Sequence, residues 1–210
     1  MAPYNEEDFS DLWGHVFSVT TERNNSSMSY IDDFFDIDGK TLYGFGGEIT
    51  YSGAMYAYTR RTMTISNYRP CFYFESDCFA DVERAADDGI TASYAYLKVQ
   101  FRDISVELRY LDNESEIRIV CDIVVNGVST QLFSIVSSAW TKVSIECSGN
   151  SCLITVGSYS RTVSVGSGTN DIKVIMEGVA SSLNSSGNGY YKGVMLLDYI
   201  KIYTAKAFLT

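Results

Sequence analysis

Apolar and polar positions alternate with a period of two through the second half of the chain almost without a break, which predicts strands. Ile104, Val106, Leu108 and Tyr110 alternate with Ser105, Glu107 and Arg109, and Ile117, Ile119, Cys121, Ile123 and Val125 alternate with Arg118, Val120, Asp122 and Val124. Each segment therefore has one clearly apolar face. Asn126-Gly127 is a hairpin signal that sets Val125 against Val128 and Cys121 against Leu132. A second signal, Gly149-Asn150 in WTKVSIECSGNSCLITVGSY, pairs Cys147 with Cys152, Ile145 with Ile154 and Val143 with Val156. Further strands follow over 140–147, 152–157, 161–165, 171–176 and 193–204, and the aromatic runs between 30 and 68 add several short ones. Two segments predict short helices. One is 5–14, with Asn5 as N-cap, acidic residues in the first turn and Gly14 as stop; the other is 79–88, with Phe79, Val82 and Ala86 on one face, Asp77 as cap and Gly89 as stop. Ten or more strands separated by turn signals imply a two-sheet antiparallel sandwich.

Composition supports one large β domain. The 210 residues are 46% hydrophobic and 14% aromatic, with 16 Tyr, 11 Phe and only two Pro, a balance that favours pleated sheet and allows about 70% of the unfolded surface to be buried. Residues 1–29 are expected as an N-terminal arm and 30–210 as the sandwich domain. The net charge of −10 repels phosphate backbones and anionic lipid, so nucleic-acid and membrane-surface roles are not expected. The opening MAPYNEEDFSDLWG is acidic where a secretory leader would be basic and then apolar, so export by the ordinary route is not expected either.

Candidate chemistry is sparse. The single histidine, His15, cannot supply a Ser-His-Asp triad or a multi-histidine metal site. GFGG and GSGTN lie between strands with no following helix, so neither forms a phosphate loop. Of five cysteines, Cys71, Cys78 and Cys121 read as small core hydrophobes, while the opposed Cys147 and Cys152 leave a bridge and two buried thiols equally open. In GVMLLDYIKIYT the alternation places Val194, Leu196, Asp198, Ile200 and Ile202 on one face. A carboxylate on an apolar face must meet a cation, donors or water. Asp198 is therefore either a structural calcium ligand or an edge residue reaching solvent or a loop N–H. Tyr51, Tyr56, Tyr58, Tyr94, Tyr96, Tyr190 and Tyr191 cluster in YSGAMYAYTRR, SYAY and GNGYYKG and are the candidate ligand-binding residues, suited to sugar stacking or protein contact alike. The pair Arg60-Arg61 reads as a solvated face.

The segments DDFFDIDGKTLYG, WTKVSIECSGNSCLITVGSYSRTVSV, DIKVIMEG and VMLLDYIKIY together resemble the concanavalin A-like jelly roll of laminin-G-type, legume-lectin and endo-glucanase domains, over residues 30 to 204. The resemblance implies an all-β, two-sheet antiparallel jelly-roll sandwich with one or two short helices. It also implies a structural calcium on Asp198, with Asp33 and Gly47 as conjectured companions. The glucanase branch uses a strand motif E-x-D-x-E that aims alternate carboxylates into one cleft. No such run exists here: Glu75-Ser76-Asp77 continues to Phe79, and Glu114-Ser115-Glu116 to Arg118. The expectation is therefore a protein without catalytic residues. A jelly roll without an export signal suggests a virion surface, decoration or tail protein, made in the host cytoplasm and oligomeric, that contacts coat or tail subunits and host glycans. The alternatives are a carbohydrate-binding or glucanase-like module outside a virus, and an intracellular hydrolase using Glu75 and Asp77.

Overall fold

The structure, a computed structural model, describes residues 2–7, 18–23, 29–37, 40–49, 55–65, 70–84, 94–112, 117–125, 127–136, 140–182 and 191–204. Strands pair antiparallel throughout, in two sheets. The first runs β13 (Tyr159–Ser164), β12 (Ser151–Val156), β11 (Thr141–Ser148), β6 (Cys71–Arg84), β15 (Tyr191–Thr204), β4 (Lys40–Ile49) and β3 (Ser29–Ile37), with β1 (Ala2–Glu7) also on β15. The second runs β10 (Val128–Val136), β9 (Ile117–Val125), β8 (Ile104–Asp112), β7 (Tyr94–Phe101), β14 (Ile172–Ser182), β5 (Met55–Ile65) and β2 (Ser18–Arg23). The arm of residues 1–29 thus contributes one strand to each sheet.

Period-two patterning decides which face of each strand is hidden. Phe72, Phe74 and Cys78 point inward from β6, while Leu97, Val99 and Phe101 point to meet them from β7. Phe72 and Phe101 touch across the gap with ring centroids 4.8 Å apart. Each such side chain stabilises the sandwich by roughly 1.5–3 kcal/mol through burial alone. At the β11–β12 hairpin the pairs Cys147↔Cys152, Ile145↔Ile154 and Val143↔Val156 form as the Gly149-Asn150 signal requires, with Gly149 at φ +62°. The two opposed cysteines are joined in a disulfide. Cys78 and Cys121 are buried, and Cys71 is half-buried.

Four local expectations are corrected. Asn5, Glu6 and Glu7 are strand rather than helix, because β1 pairs with β15 over Ile200–Thr204, beyond the point where β4 stops. An unpaired edge there would leave a row of open backbone groups, and satisfying it overrides the capping pattern. The remainder of the 5–14 segment lies outside the described residues. Phe79 to Arg84 continue β6, because their backbone goes on pairing with Leu196 to Tyr191 of β15; 85–88 lie outside the described residues. Asp198 does not share a face with Ile200 and Ile202. It is the extra residue of a bulge between Leu197 and Tyr199, so Leu197 turns into the core above it, Ile200 and Ile202 do so below it, and Leu196 and Asp198 are only half-buried. A bulge reverses the alternation that a strict period assumes. A bulge between Gln131 and Phe133 likewise sets Phe133, not Leu132, opposite Cys121.

One buried polar cluster ties the sheets together. The Cys78 thiol donates to the Thr141 carbonyl at 3.4 Å, and Tyr110 Oη lies 3.0 Å from Cys78 Sγ. The thiol has a single proton, so the Tyr110 hydroxyl must be the donor to sulfur. Burial pushes the Cys78 thiol up to about 12, so it remains a thiol at neutral pH. Cys78→Ala should therefore strand a buried hydroxyl and destabilise by about 1–2 kcal/mol. Adding Tyr110→Phe should recover about half of that loss. Denaturant titration of both variants checks this, and strictly additive losses would show the contact to be inert.

Candidate active site on the outer face of the second sheet

The side chains of β5, β14, β7, β8 and β9 that alternate with the core residues form the outer face of the second sheet. Register sets Arg60, Glu177, Tyr96 and Arg109 in one cross-strand row, and Lys98, Glu107 and Asp122 in the next. Glu177 is 3% exposed and accepts hydrogen bonds from Arg60 Nε and from the Tyr94 hydroxyl, the latter at 3.0 Å. The Tyr94 and Tyr96 rings stack at 6.0 Å with 17° between their planes. Burial, followed by the nearby Glu177 charge, pushes Tyr96 up to about 12 and raises Tyr94 as well, so both hydroxyls remain protonated donors.

Glu107 and Asp122 stand directly opposite each other across β8 and β9. Like charges so placed repel, and each has its own cation. Lys98 Nζ lies 2.6 Å from Glu107 Oε1, and Arg109 pairs with Asp122, which is 5% exposed. Tyr94, Tyr96, Lys98, Glu107 and Arg109 line a depression of about 320 Å³. Gln100, Ser105, Val124 and Lys173 help to line a second one of about 530 Å³, one row further along the same face. Two buried polar atoms find no protein partner among the described residues: Ser105 Oγ and Arg109 Nε, the β8 positions on either side of Glu107. Buried donors and acceptors are almost always satisfied, which makes these atoms candidates for contact with a ligand.

Of the residues expected from sequence, Tyr94 and Tyr96 are in this site. Tyr56, Tyr58 and Tyr191 lie on β5 and β15 with side chains outside the described set, and Tyr51 and Tyr190 lie outside the described residues. Arg60 is no solvated bystander, since it is the cation of buried Glu177. Asp198 is the half-buried extra residue of the bulge rather than part of the apolar face assumed for it, and is already engaged by a neighbour. No group of three or more His, Cys, Asp or Glu among the described residues could hold a metal ion. The calcium expectation then has the family resemblance alone behind it, and no step below uses a metal. Sequence inspection missed Ser105, Glu107, Arg109, Asp122 and Glu177. The signal was present in IRIVCDIVV and VIMEGVA, each a nearly apolar run with one carboxylate.

No family model matches the sequence, and no curated protein matches it. Solved structures do. Among those similar to this chain is a beta-1,3-glucanase from Mycobacterium marinum, with TM-score 0.63 and 12% identity over 97% of this chain and 99% of that one. Another is the catalytic domain of an endo-1,3-beta-glucanase (laminarinase) from Thermotoga petrophila, with TM-score 0.61 and 10% identity over 98% of both chains. A third is a glycosyl hydrolase family protein from Mycobacterium fortuitum, with TM-score 0.60 and 13% identity over 97% of this chain and 100% of that one.

The fold is the concanavalin A-like jelly roll.

Two expectations fall with this finding. The virion surface role is overturned, because the likeness runs end to end with glucanases. The expectation of a protein that is not an enzyme is corrected with it, because the structures the chain is similar to are glycosyl hydrolases. A search for E-x-D-x-E inspects one strand at a time and does not see a pair such as Glu107 and Asp122, which stand opposite each other on two.

Proposed function

We propose that this chain is a carbohydrate-active module of the glucanase type, which takes a β-linked glucan across the outer face of the second sheet. The observation that carries it is a pair of buried atoms with no partner among the described residues, Ser105 Oγ and Arg109 Nε, on either side of Glu107 in that face. A sugar chain is rich in hydroxyls that both donate and accept, and it would satisfy both atoms at once. The stacked Tyr94 and Tyr96 offer an aromatic wall with fixed donors beside them.

The opposed carboxylates supply the chemistry. Directly paired strand residues hold their Cβ atoms about 4.5–5.5 Å apart, so both carboxylates rise from one spot on the surface, within reach of the roughly 5–5.5 Å separation that retaining glycosidases use. Asp122, nearly closed off and held by Arg109, is placed to attack the anomeric carbon. Glu107, more open, is the candidate acid–base group: ion-paired with Lys98 it is ionised, so Lys98 must move off and a proton from water must be taken up before Glu107 can hand that proton to the leaving oxygen and later accept one from the attacking water. Full-length protein should release reducing ends from laminarin, and Glu107→Gln and Asp122→Asn should each lower the rate by about 10²–10⁴-fold. Titration with a soluble β-1,3-gluco-oligosaccharide should be weakened by Tyr96→Ala. A wild-type protein that neither binds nor cleaves glucan would sink the proposal; binding without cleavage would remove the acid–base roles and leave the groove as a binding site.

A further inference from the structure

The opposite face of the molecule carries a second built surface. On the outer side of the first sheet, register sets Tyr203, Tyr73, Glu146 and Leu153 in one row across β15, β6, β11 and β12. Three strand spacings make that row about 14 Å long. Tyr73, Glu75, Glu146, Lys201 and Tyr203 line a depression of about 440 Å³ there.

Glu75 organises the surface. Its Oε2 accepts from the Tyr73 hydroxyl at 2.5 Å and lies 2.8 Å from Lys142 Nζ, and its Oε1 accepts from the Tyr199 hydroxyl at 2.8 Å. Burial works to raise this carboxyl, but the hydrogen bonds from Lys142, Tyr73 and Tyr199 prevail and hold it below the usual range, so it stays ionised and keeps both rings tethered. Tyr203 meets Tyr73 edge to face at 5.8 Å, and Lys201 lies 4.8 Å above the Tyr199 ring. Tyr73 and Tyr199 therefore have their polar tips tied inside the cluster; the Tyr199 ring is covered by Lys201, while Tyr73 lines the depression with Tyr203. Rings fixed in advance lose little freedom on binding. At the rim, Glu146 can accept and Lys201 can donate. Leu153, 40% exposed, extends the apolar strip by one strand.

From this arrangement we propose that the strip Tyr203–Tyr73–Glu146–Leu153 is a second polysaccharide-contact surface, which holds a long glucan on the face of the sandwich away from the groove and takes no part in its cleavage. The proposal rests on the glucan reading of the first site. An extended glycan fits better than a globular partner because the strip is one row wide, sets two adjacent rings beside a hydroxyl-binding carboxylate, and has the Glu75 charge met from within by Lys142.

The test uses full-length wild type, Tyr73→Ala, Tyr203→Ala and the double variant, with Tyr73→Phe as a folding control that keeps the ring. Two quantities are measured: depletion from solution by particulate β-1,3-glucan, and affinity for a short soluble β-1,3-gluco-oligosaccharide. The double variant should lose about tenfold in retention on particles, equivalent to about 1.4 kcal/mol, with oligosaccharide affinity unchanged. Tyr73→Phe should stay within about twofold of wild type. Unchanged retention in the double variant, alongside weaker oligosaccharide binding in Tyr96→Ala, would overturn the second surface and leave the groove standing. A wild type that ignores both glycans would overturn the two proposals together. Concentration-dependent dimerisation abolished by Tyr73→Ala would assign the strip to a second copy of the chain instead, and so overturn it too.

Discussion

Gly193→Ala is expected to be the most damaging alanine substitution among the glycines whose surroundings are described, destabilising the protein by at least about 4 kcal/mol and lowering the melting temperature by about 8–16 °C, if the chain folds at all. A Cβ built on Gly193 would sit 1.8 Å from the Val179 carbonyl oxygen and 2.7 Å from that of Tyr94. Both obstacles are backbone, on β14 and β7, and so cannot swing aside as a flexible side chain would. Ordinary overpacking costs about 1–3 kcal/mol because neighbours adjust; here two paired strands of the opposite sheet would have to retreat together. The sandwich closes this tightly because the inward positions of the second sheet at that level are Ala95 and Gly178, which face each other across β7 and β14. Their chain neighbours Tyr94, Tyr96 and Glu177 carry the candidate site on the outer side, so loss of the close approach should also weaken sugar binding. Gly127→Ala is the control. Its φ is +79° with nothing within 4 Å of the new methyl, so only the left-handed backbone preference is lost, about 1 kcal/mol. Thermal unfolding followed by circular dichroism separates the two; equal losses would show that backbone conformation, not the close approach, sets the cost at Gly193.

The second half of the fold was legible because its strands obey one period and its hairpins carry their own turn chemistry. Ile104 to Tyr110 and the Cys147↔Cys152 register needed nothing from elsewhere in the chain. What escaped is what depends on a partner strand or on one inserted residue. Asp198 was assigned to the wrong face because a bulge leaves no mark in the alternation around it, and Leu132 failed in the same way. β1 has a good helix start in its sequence, but the open edge of β15 claims it, and that edge is invisible at a distance of some two hundred residues. The candidate site shows the same division. Tyr94 and Tyr96 were picked out as a local cluster, whereas Glu107 and Asp122 become a pair only through the β8–β9 register. The principle that a buried carboxylate needs a cation was sound, but its clearest instances lie on the outer face of the second sheet, Asp122 with Arg109 and Glu177 with Arg60.

Arg60→Met should cost about 3 kcal/mol although Arg60 itself is nearly half exposed, because the penalty falls on Glu177. The carboxylate is 3% exposed, and its two recorded partners are the Arg60 guanidinium and the Tyr94 hydroxyl. Removing the guanidinium leaves a charge that water cannot reach and that one neutral donor cannot balance. Methionine keeps the apolar stem, so lost packing contributes little. The exposure of the Arg60 side alone places the expected cost at the low end of the range of about 3–5 kcal/mol for breaking buried pairs. One further observation distinguishes this cause from general damage. Arg60→Met/Glu177→Gln should be more stable than Arg60→Met alone, since a neutral amide needs no counter-charge. Denaturant midpoints of the wild type and the two variants decide it. A deficit that ignores the second substitution would mean that Glu177 is solvated or balanced by another group, and that the wall formed by Tyr94 and Tyr96 does not depend on this ion pair for its position.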